Sequence, residues 1–306
     1  MNLPSSSSHD AVISLNGLSC RFGSKEVLRD VNLHVPRGGV YGLVGENGAG
    51  KTTTIKHVLG LLRPEAGRVR VCGRDPVADP VGVLSRVGYL SEHRDLPAWM
   101  RVDELLLYTQ AFYSGWDPVF AESLREQFEL DPGKRIRDLS QGQQAKAGLL
   151  IALAYRPELL VLDEPSSGLD PVVRRDMLET IIRSVANEGR TVFFSSHLLD
   201  EIERVCDHLT IIHQGRVCAT GRMEVLQEGH RRLSVRFDQA LGERPEVPQA
   251  LEISGEGRLW TFLCRYPCED IVLQLQRLGG VVIHESVPSL DEIFFAVVRG
   301  GETTVS

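Results

Sequence analysis

Cysteine is scarce in this sequence. Six cysteines are spread over 306 residues, which excludes a small fold held together by disulfides. We expect reduced, mostly buried thiols. Cys264 and Cys268 form the one close pair, and because the sequence places neither a second pair nor a histidine cluster beside them, a metal site there is not favoured.

An excess of positive charge and long apolar runs are also missing. The net charge of −7 argues against a broad basic surface, so no direct nucleic acid binding is expected. The longest apolar stretch, Ala147 to Tyr155, is too short to span a bilayer. The first residues, Met1 to Ser8, lack the basic and apolar regions of a signal peptide. We therefore expect a cytoplasmic chain that reaches a membrane only through a partner.

What remains is the composition of a globular protein, with 42% hydrophobic and 25% charged residues. A chain of this length exceeds what a single hydrophobic core usually serves. We expect a flexible tail over residues 1–10 and a large α/β domain over 11–229, with a helical insert at about 93–156. A small α+β domain is expected over 230–306.

A glycine-rich segment lies between the apolar run Val40–Val44 and a helical pattern that begins near Ile55. Its spacing, a glycine, four residues and then Gly-Lys-Thr, predicts a strand, a loop and a helix whose N-terminal N–H groups converge on one anion. In such a loop Lys51 reaches the β- and γ-phosphates of a nucleotide and the Thr52 hydroxyl holds Mg²⁺. The predicted phosphate loop consists of Gly45, Glu46, Asn47, Gly48, Ala49, Gly50, Lys51, Thr52 and Thr53.

Two carboxylates follow the continuous apolar run Leu159–Leu162. Such a run is typical of a strand buried on both faces of a parallel sheet. Because ligands bind outside the carboxyl ends of strands in these sheets, Asp163 and Glu164 are expected beside the phosphate loop, in a metal-binding or catalytic role. His197 follows another apolar strand, Thr191–Phe194, and is expected at the same edge.

Other features are ambiguous from the residues alone. Ser140 is suited to cap the helix that runs to about Tyr155, and with Gly142 it offers a second potential phosphate site, although a plain capped helix is the simpler interpretation. Phe22, beside Gly23 in a strand region, is by itself most simply a core residue.

The C-terminal region is expected to fold in the order βββαβα. Its first strand is predicted at Leu233–Phe237, followed by a hairpin of Leu251–Ile253 with Leu259–Arg265. Ser289 and Glu292 form a capping box at the start of the last helix. No cluster of histidine, cysteine or carboxylate in this region indicates a site.

Between Val12 and Gly221, five motifs in this order resemble the ATP-binding subunit of an ATP-binding cassette (ABC) transporter. The resemblance implies a P-loop NTPase fold of the ABC ATPase type, with a mixed sheet core, an antiparallel β subdomain and a helical subdomain, followed here by the small α+β domain. The motifs are Walker A at Gly45–Thr53, the signature at Leu139–Gln143, Walker B at Leu159–Glu164, the D-loop at Ser167–Asp170 and the switch histidine His197.

The resemblance also assigns roles. Phe22 stacks on adenine, Asp163 holds Mg²⁺ directly or through water, Glu164 polarises the attacking water, and His197 contacts the γ-phosphate. Two chains sandwich two ATP molecules and drive a separate transmembrane permease, so the chain is peripheral on the inner face of the cell membrane. The implied contacts with the opposite subunit come from Ser140, Gln141, Gly142 and Gln143, with Asp170 coupling the two sites.

Two positions depart from the family pattern. Glu92 stands where the Q-loop has glutamine; its carboxylate remains a possible Mg²⁺ ligand, but its charge would change how the site senses the permease. Gln141 replaces the commoner glycine of the signature and leaves Ser140 and Gly142 in place.

Within the family, the segment Ser289–Phe294 resembles the C-terminal segment of ABC-2-type exporter ATPases. The alternative is a soluble ABC ATPase that acts on nucleic acid or ribosomes, which the acidic charge and the single cassette disfavour. Nothing in the sequence specifies the cargo, and export rests on analogy of type.

Overall fold

The computed structural model describes residues 11–186 and 189–300. Contacts divide the chain into two compact units. The first unit runs to Cys206 and includes Gln214–Arg216, and the second comprises Asp207–His213 and the chain from Val217 onward. This division falls earlier along the chain than the boundary expected after residue 229, because β8 (His208–His213), β9 (Arg216–Arg222) and α8 (Met223–Glu228) group largely with the C-terminal strands. The predicted domain boundaries remain a prediction.

An antiparallel sheet opens the first unit. Its strands β1 (Ala11–Phe22), β2 (Lys25–Pro36) and β4 (Ala66–Val71) lie in the order β2-β1-β4. β1 and β2 are longer than the apolar segments that predicted them, because both strands continue beyond those segments through residues that are partly or fully exposed.

Parallel strands form the centre of this unit. They are β3 (Gly39–Val44), β5 (Val87–Leu90), β6 (Leu159–Asp163) and β7 (Thr191–Ser196), paired in the order β5, β6, β7, β3. Every residue of β6 and β7 is buried, as expected for strands covered on both faces. In register, Val44 pairs with Ser196 and Asp163 with Ser195, so three strands end at one edge.

Helices accompany these strands, and two of them begin at features that the sequence makes recognisable. α1 (Lys51–Val58) starts after Gly50 at φ 114°, a left-handed conformation that favours glycine. α5 (Gln141–Leu153) starts at the capping box of Ser140 and Gln143. The remaining helices of this unit are α2 (Pro80–Leu84), α3 (Val102–Gln110), α4 (Pro118–Gln127), α6 (Pro171–Ala186) and α7 (Leu199–Val205), of which α7 was not anticipated from the sequence.

The C-terminal strands form a sheet in the order β11-β10-β12, from β10 (His230–Leu241), β11 (Ala250–Arg265) and β12 (Gly280–Ser286). Two helices accompany it, α9 (Glu269–Arg277) and α10 (Leu290–Gly300). Leu233, Val235 and Phe262 lie in its buried core.

One strand assignment, β11, covers both segments of the predicted hairpin. Within it, Gly255 and Gly257 have positive φ values. A Cβ on Gly255 would lie 2.4 Å from the Leu259 carbonyl oxygen. Residues four positions apart in an extended strand are about 13 Å apart, so the chain folds back between Gly255 and Leu259, as the predicted hairpin requires. With β11 counted as one strand the order is ββαβα, and the fold-back divides β11 into the two expected arms.

Gly88 tests the packing of β5 against α5. A Cβ at this position would lie 2.2 Å from the Ala152 carbonyl oxygen. We expect Gly88→Ala to lower the free energy of unfolding by about 1–3 kcal/mol, measured by urea denaturation of the full chain. Gly133→Ala is the control, because its nearest neighbour would lie at 3.5 Å. Equal urea midpoints for the two variants would contradict this packing.

Candidate functional site

The predicted phosphate loop curls around the Lys51 side chain. Lys51 Nζ donates to the Gly45 carbonyl oxygen at 2.7 Å and to that of Glu46 at 3.2 Å. Gly48 adopts φ 83° and Gly50 φ 114°, conformations that side chains with a Cβ rarely take. The loop therefore needs these glycines for its path, and it holds the ammonium group at the start of α1.

Glu164 forms the centre of a buried charged group. Its Oε1 lies 3.0 Å from Lys51 Nζ, and both side chains are about 95% buried. Its Oε2 lies 2.8 Å from His197 Nδ1. Because an ionised carboxylate only accepts hydrogen bonds, Nδ1 carries the proton in this pair. One carboxylate thus joins the phosphate loop to the end of β7.

The backbone at Glu164 is held in an unusual conformation. Its φ is 47°, in the left-handed region that non-glycine residues seldom adopt. The Glu164 N–H donates to both the carbonyl oxygen and the Oγ of Ser195, at 3.2 and 3.1 Å. Such conformations persist where the surroundings determine them, and they concentrate at functional sites.

Asp163 lies beside Thr52. The Thr52 hydroxyl donates to Asp163 Oδ1 at 3.2 Å, and the Ser195 hydroxyl donates to the same oxygen at 2.7 Å. The half-buried Tyr89 lies near this group, and burial, together with the charges of Asp163, Asp95 and Glu92, raises the pKa of its hydroxyl to about 12. The hydroxyl therefore stays protonated at neutral pH.

A cleft of about 450 Å³ opens over these groups. It brings together nine of the nineteen predicted site residues, and Lys25 and Val27 of β2 join them without having been anticipated. Phe22 is 52% exposed at its edge, which is unusual for a core aromatic and fits a surface that receives a ligand. The cleft is lined by Phe22, Lys25, Val27, Asn47, Gly48, Gly50, Lys51, Thr52, Thr53, Glu92 and Glu164.

The predicted signature residues lie elsewhere. Among the described residues, those that line the cleft do not include Ser140, Gln141, Gly142 or Gln143. A Cβ on Gly142 would lie 2.8 Å from Val173 of α6, and one on Gly168 would lie 3.1 Å from the Gln141 side-chain oxygen. The segment therefore packs beside the predicted D-loop of its own chain.

Asp170 acts locally as a helix cap. Its Oδ1 accepts the N–H groups of Val172 and Val173, both at 3.1 Å. Arg94, two residues beyond Glu92, donates to the carbonyl oxygen of Ser167. The predicted D-loop is thus tied to α6 on one side and to the segment after Glu92 on the other.

Sequence reasoning missed several polar residues of this region. The Ser195 hydroxyl donates to the Asp163 carboxylate. Glu201 accepts hydrogen bonds from Ser196, which ends β7, and from the loop after β6. Neither Ser195 nor Ser196 was among the predicted site residues. Their position directly before His197, at the edge where Asp163 and Glu164 were expected, was the signal that could have identified them.

Comparison with known proteins identifies the family. Residues 28–167 match the family described as ABC transporter. The chain is 32% identical to Nod factor export ATP-binding protein I of Rhizobium johnstonii over 308 residues, covering 96% of this chain and 97% of the relative. It is 35% identical to daunorubicin resistance ATP-binding protein DrrA3 of Streptomyces coeruleorubidus over 304 residues, covering 93% and 95%.

A solved structure described as an ATP binding subunit of an ABC transporter has the same fold. It matches with a TM-score of 0.65 and 31% identity, over 71% of this chain and 92% of the other. The chain belongs to the ABC transporter ATP-binding proteins, and it binds and hydrolyses ATP as a member of that family. The expected family, fold class and ATPase activity are confirmed.

Phe22 provides a test of how the cleft binds the nucleotide. We expect Phe22→Ala to weaken ATP binding about tenfold, because stacking of an aromatic ring on a base contributes about 1–3 kcal/mol. Affinity for inorganic tripolyphosphate should not change, since that ligand has no base. Calorimetry of both ligands measures the difference, with the exposed Phe112→Ala as control. Equal weakening of both ligands would refute a stacking role.

Proposed function

We propose that this chain is the ATPase subunit of an exporter, and that it hydrolyses MgATP in the cleft over Lys51 and Glu164 to drive a separate membrane permease. The observation that carries the proposal is Glu164, whose two oxygens contact Lys51 and His197 at 3.0 and 2.8 Å. Export is supported by the full-length similarity to proteins named for Nod factor export and daunorubicin resistance.

The residues present fit Mg²⁺ with a bound triphosphate. Mg²⁺ in nucleotide sites is held by one or two protein oxygens together with substrate phosphates and water. Thr52 Oγ1, which lines the cleft, and Asp163 Oδ1, which lies 3.2 Å from it, supply such oxygens. Glu92 lines the same cleft and is a further candidate. When bound, the ion would neutralise charge on the phosphates.

Glu164 is the group proposed to polarise the attacking water. A general base must lie within hydrogen-bond reach of the proton that it takes, and the Glu164 carboxylate faces the phosphate-binding ammonium of Lys51 directly. His197 orients the carboxylate through Nδ1. The Lys51 ammonium and the N–H groups of the phosphate loop supply the fixed positive charge that phosphoryl transfer requires.

A second copy of the chain completes the site in this proposal. Ser140, Gln141, Gly142 and Gln143 begin α5, so their N–H groups form a helix N-terminus suited to a phosphate. They lie outside the cleft of their own chain, which supports a role toward the ATP held by the partner. The homodimer would bind two ATP molecules, and Asp170 would link the two sites.

An apolar groove of the first unit is the proposed docking surface for the permease. It measures about 300 Å³ and is lined mainly by aliphatic and aromatic side chains. Leu61, at 60% exposed, and Leu84 contribute apolar surface to it. Thr109 and Tyr113 belong to the helical insert expected at about 93–156. The lining residues are Leu59, Leu61, Leu84, Val87, Tyr89, Thr109, Tyr113, Ile151, Ala152 and Tyr155.

The proposed location follows from that partner. No helix in the described ranges is long and apolar enough to cross a bilayer. In this proposal the permease holds the chain at the inner face of the cell membrane. The alternative of an ATPase acting on nucleic acid or ribosomes has less support, since the net charge is −7 and the similarity to transporter ATPases spans 93–96% of the chain.

Replacement of Glu164 tests the hydrolytic assignment. We expect Glu164→Gln to lower ATP turnover about 100-fold or more while MgATP still binds, because the amide keeps the shape but cannot accept the proton. Phosphate release measures turnover, and calorimetry measures binding. Turnover within twofold of the unmodified chain would refute the assignment of the base.

In the same variant with MgATP, sedimentation should detect a dimer.

Replacement of Leu61 tests the docking surface. We expect Leu61→Asp to abolish co-purification with the permease and leave basal ATP turnover unchanged, since a charge on an apolar interface is costly to desolvate and the side chain lies outside the cleft. Val119→Asp is the matched control, at 79% exposed on α4 and outside the groove. Undiminished co-purification of Leu61→Asp would place the docking surface elsewhere.

A further inference from the structure

Glu201 is a buried carboxylate for which the proposed mechanism has no role. It lies in the first turn of α7 and is 2% exposed. Burial raises the pKa of its carboxyl, and the Ser166 and Ser196 hydroxyls and Arg174 oppose this effect. Charged groups are rarely buried unless they are paired, because removing them from water is costly. A carboxylate kept in this position therefore requires partners, and these partners come from the segments that carry the site.

Two hydroxyl groups donate to the same oxygen of Glu201. Ser166 Oγ lies 2.8 Å from Oε2, and Ser196 Oγ lies 3.0 Å from it. Both hydroxyls are buried. Ser166 follows β6 and Ser196 ends β7, so one oxygen atom spans two neighbouring strand ends.

The second oxygen faces Arg174 of α6. Glu201 Oε1 lies 3.2 Å from Arg174 Nε, in an ion pair, and Arg174 Nη2 also donates to the Leu169 carbonyl oxygen at 3.3 Å. Leu169 belongs to the predicted D-loop. Glu201 therefore connects three segments: the loop after β6, the end of β7 and the start of α6.

These contacts flank the proposed catalytic pair. Ser166 is two residues beyond Glu164, and Ser196 directly precedes His197. The separation of Glu164 Oε2 and His197 Nδ1, 2.8 Å, depends on where those two backbone segments are held. The bridge that Glu201 forms between Ser166 and Ser196 fixes these two backbone segments from outside the cleft, since Glu201 is not among the residues that line the cleft.

We propose that Glu201 is a positioning residue for ATP hydrolysis. By accepting hydrogen bonds from Ser166 and Ser196 together, it fixes the loop after Glu164 against the strand end before His197. This keeps the carboxylate of Glu164 within hydrogen-bond distance of His197. This inference rests on the proposed function of Glu164 and His197. A displacement of about 1 Å in such a pair can lower a rate about 100-fold, which makes a bridge of this kind consequential.

A purely structural role predicts something different. It would lower the thermal midpoint of unfolding to the extent that the hydrogen bonds of Glu201 are broken. It would not lower kcat selectively while the KM for ATP stays the same. A positioning role predicts a loss in kcat at a temperature where every variant is folded, with the KM for ATP nearly unchanged. It also predicts that a side chain retaining an acceptor oxygen preserves turnover.

Two replacements of Glu201 make this distinction. Gln keeps an oxygen that accepts both hydroxyls, whereas Met has similar length and no such acceptor. We expect Glu201→Met to lower kcat about tenfold or more and Glu201→Gln to lower it no more than about threefold, with the KM for ATP within about twofold in both. Phosphate release by the full chain with MgATP at 25 °C is the measurement. Glu203→Gln, exposed on the same helix, is the matched control.

The measured kcat values distinguish the positioning role from a purely structural one. A kcat of Glu201→Met within threefold of the unmodified chain, or a Glu201→Gln variant as slow as Glu201→Met, would overturn the proposal. If Glu201→Met does not fold, Ser166→Ala removes the bridge from the other side, and an unchanged kcat in that variant would overturn it equally. Glu164→Gln is measured in the same series. Normal turnover in that variant shows failure of the proposed site, whereas loss there with unaffected Glu201 variants shows failure of this inference alone.

Discussion

The buried ion pair between Lys51 and Glu164 is the interaction on which the rest of the site depends. The two groups lie 3.0 Å apart with about 5% of each side chain exposed. Neither charge is tolerable in that environment without the other, because burying an unpaired charge costs several kcal/mol. The phosphate loop and the end of β6 are thereby fixed to each other. A triphosphate in the cleft competes with Glu164 for the same ammonium group, so the interaction that holds the site together is also the one that the substrate changes.

The parallel strands make this pair possible. β3, β6 and β7 are apolar and buried, and their register brings Val44, Asp163 and the two serines of β7 to one edge. Apart from their last residues, Asp163 of β6 and the two serines of β7, these strands contribute no functional side chains. Their burial fixes where each chain segment leaves the sheet, and the polar residues that follow meet there because three strands end together.

Much of this site was predictable, because its motifs have fixed local spacing. The path from a strand through glycines to Lys51 and Thr52 depends on neighbours in the sequence, and so does the exit of Asp163 and Glu164 from an apolar strand. Glu201 was not predictable in the same way, since its partners lie 35 and 5 residues away and no local pattern marks it. The hairpin of Leu251–Ile253 with Leu259–Arg265 was predictable for the same local reason as those motifs, and the close approach of Gly255 to Leu259 shows that the chain folds back between the two segments.

The exchange of Lys51 between Glu164 and the triphosphate is tested most directly by a structure of the full chain with Mg²⁺ and a non-hydrolysable ATP analogue. We expect Lys51 Nζ to leave Glu164 Oε1, from 3.0 Å here to beyond about 4 Å, the limit for an ion pair, and to contact the β- and γ-phosphates. Glu164 would then be released to face the water that attacks the γ-phosphate. An analogue bound with the Lys51–Glu164 pair intact, or with its phosphates away from residues 45–53, would contradict this exchange.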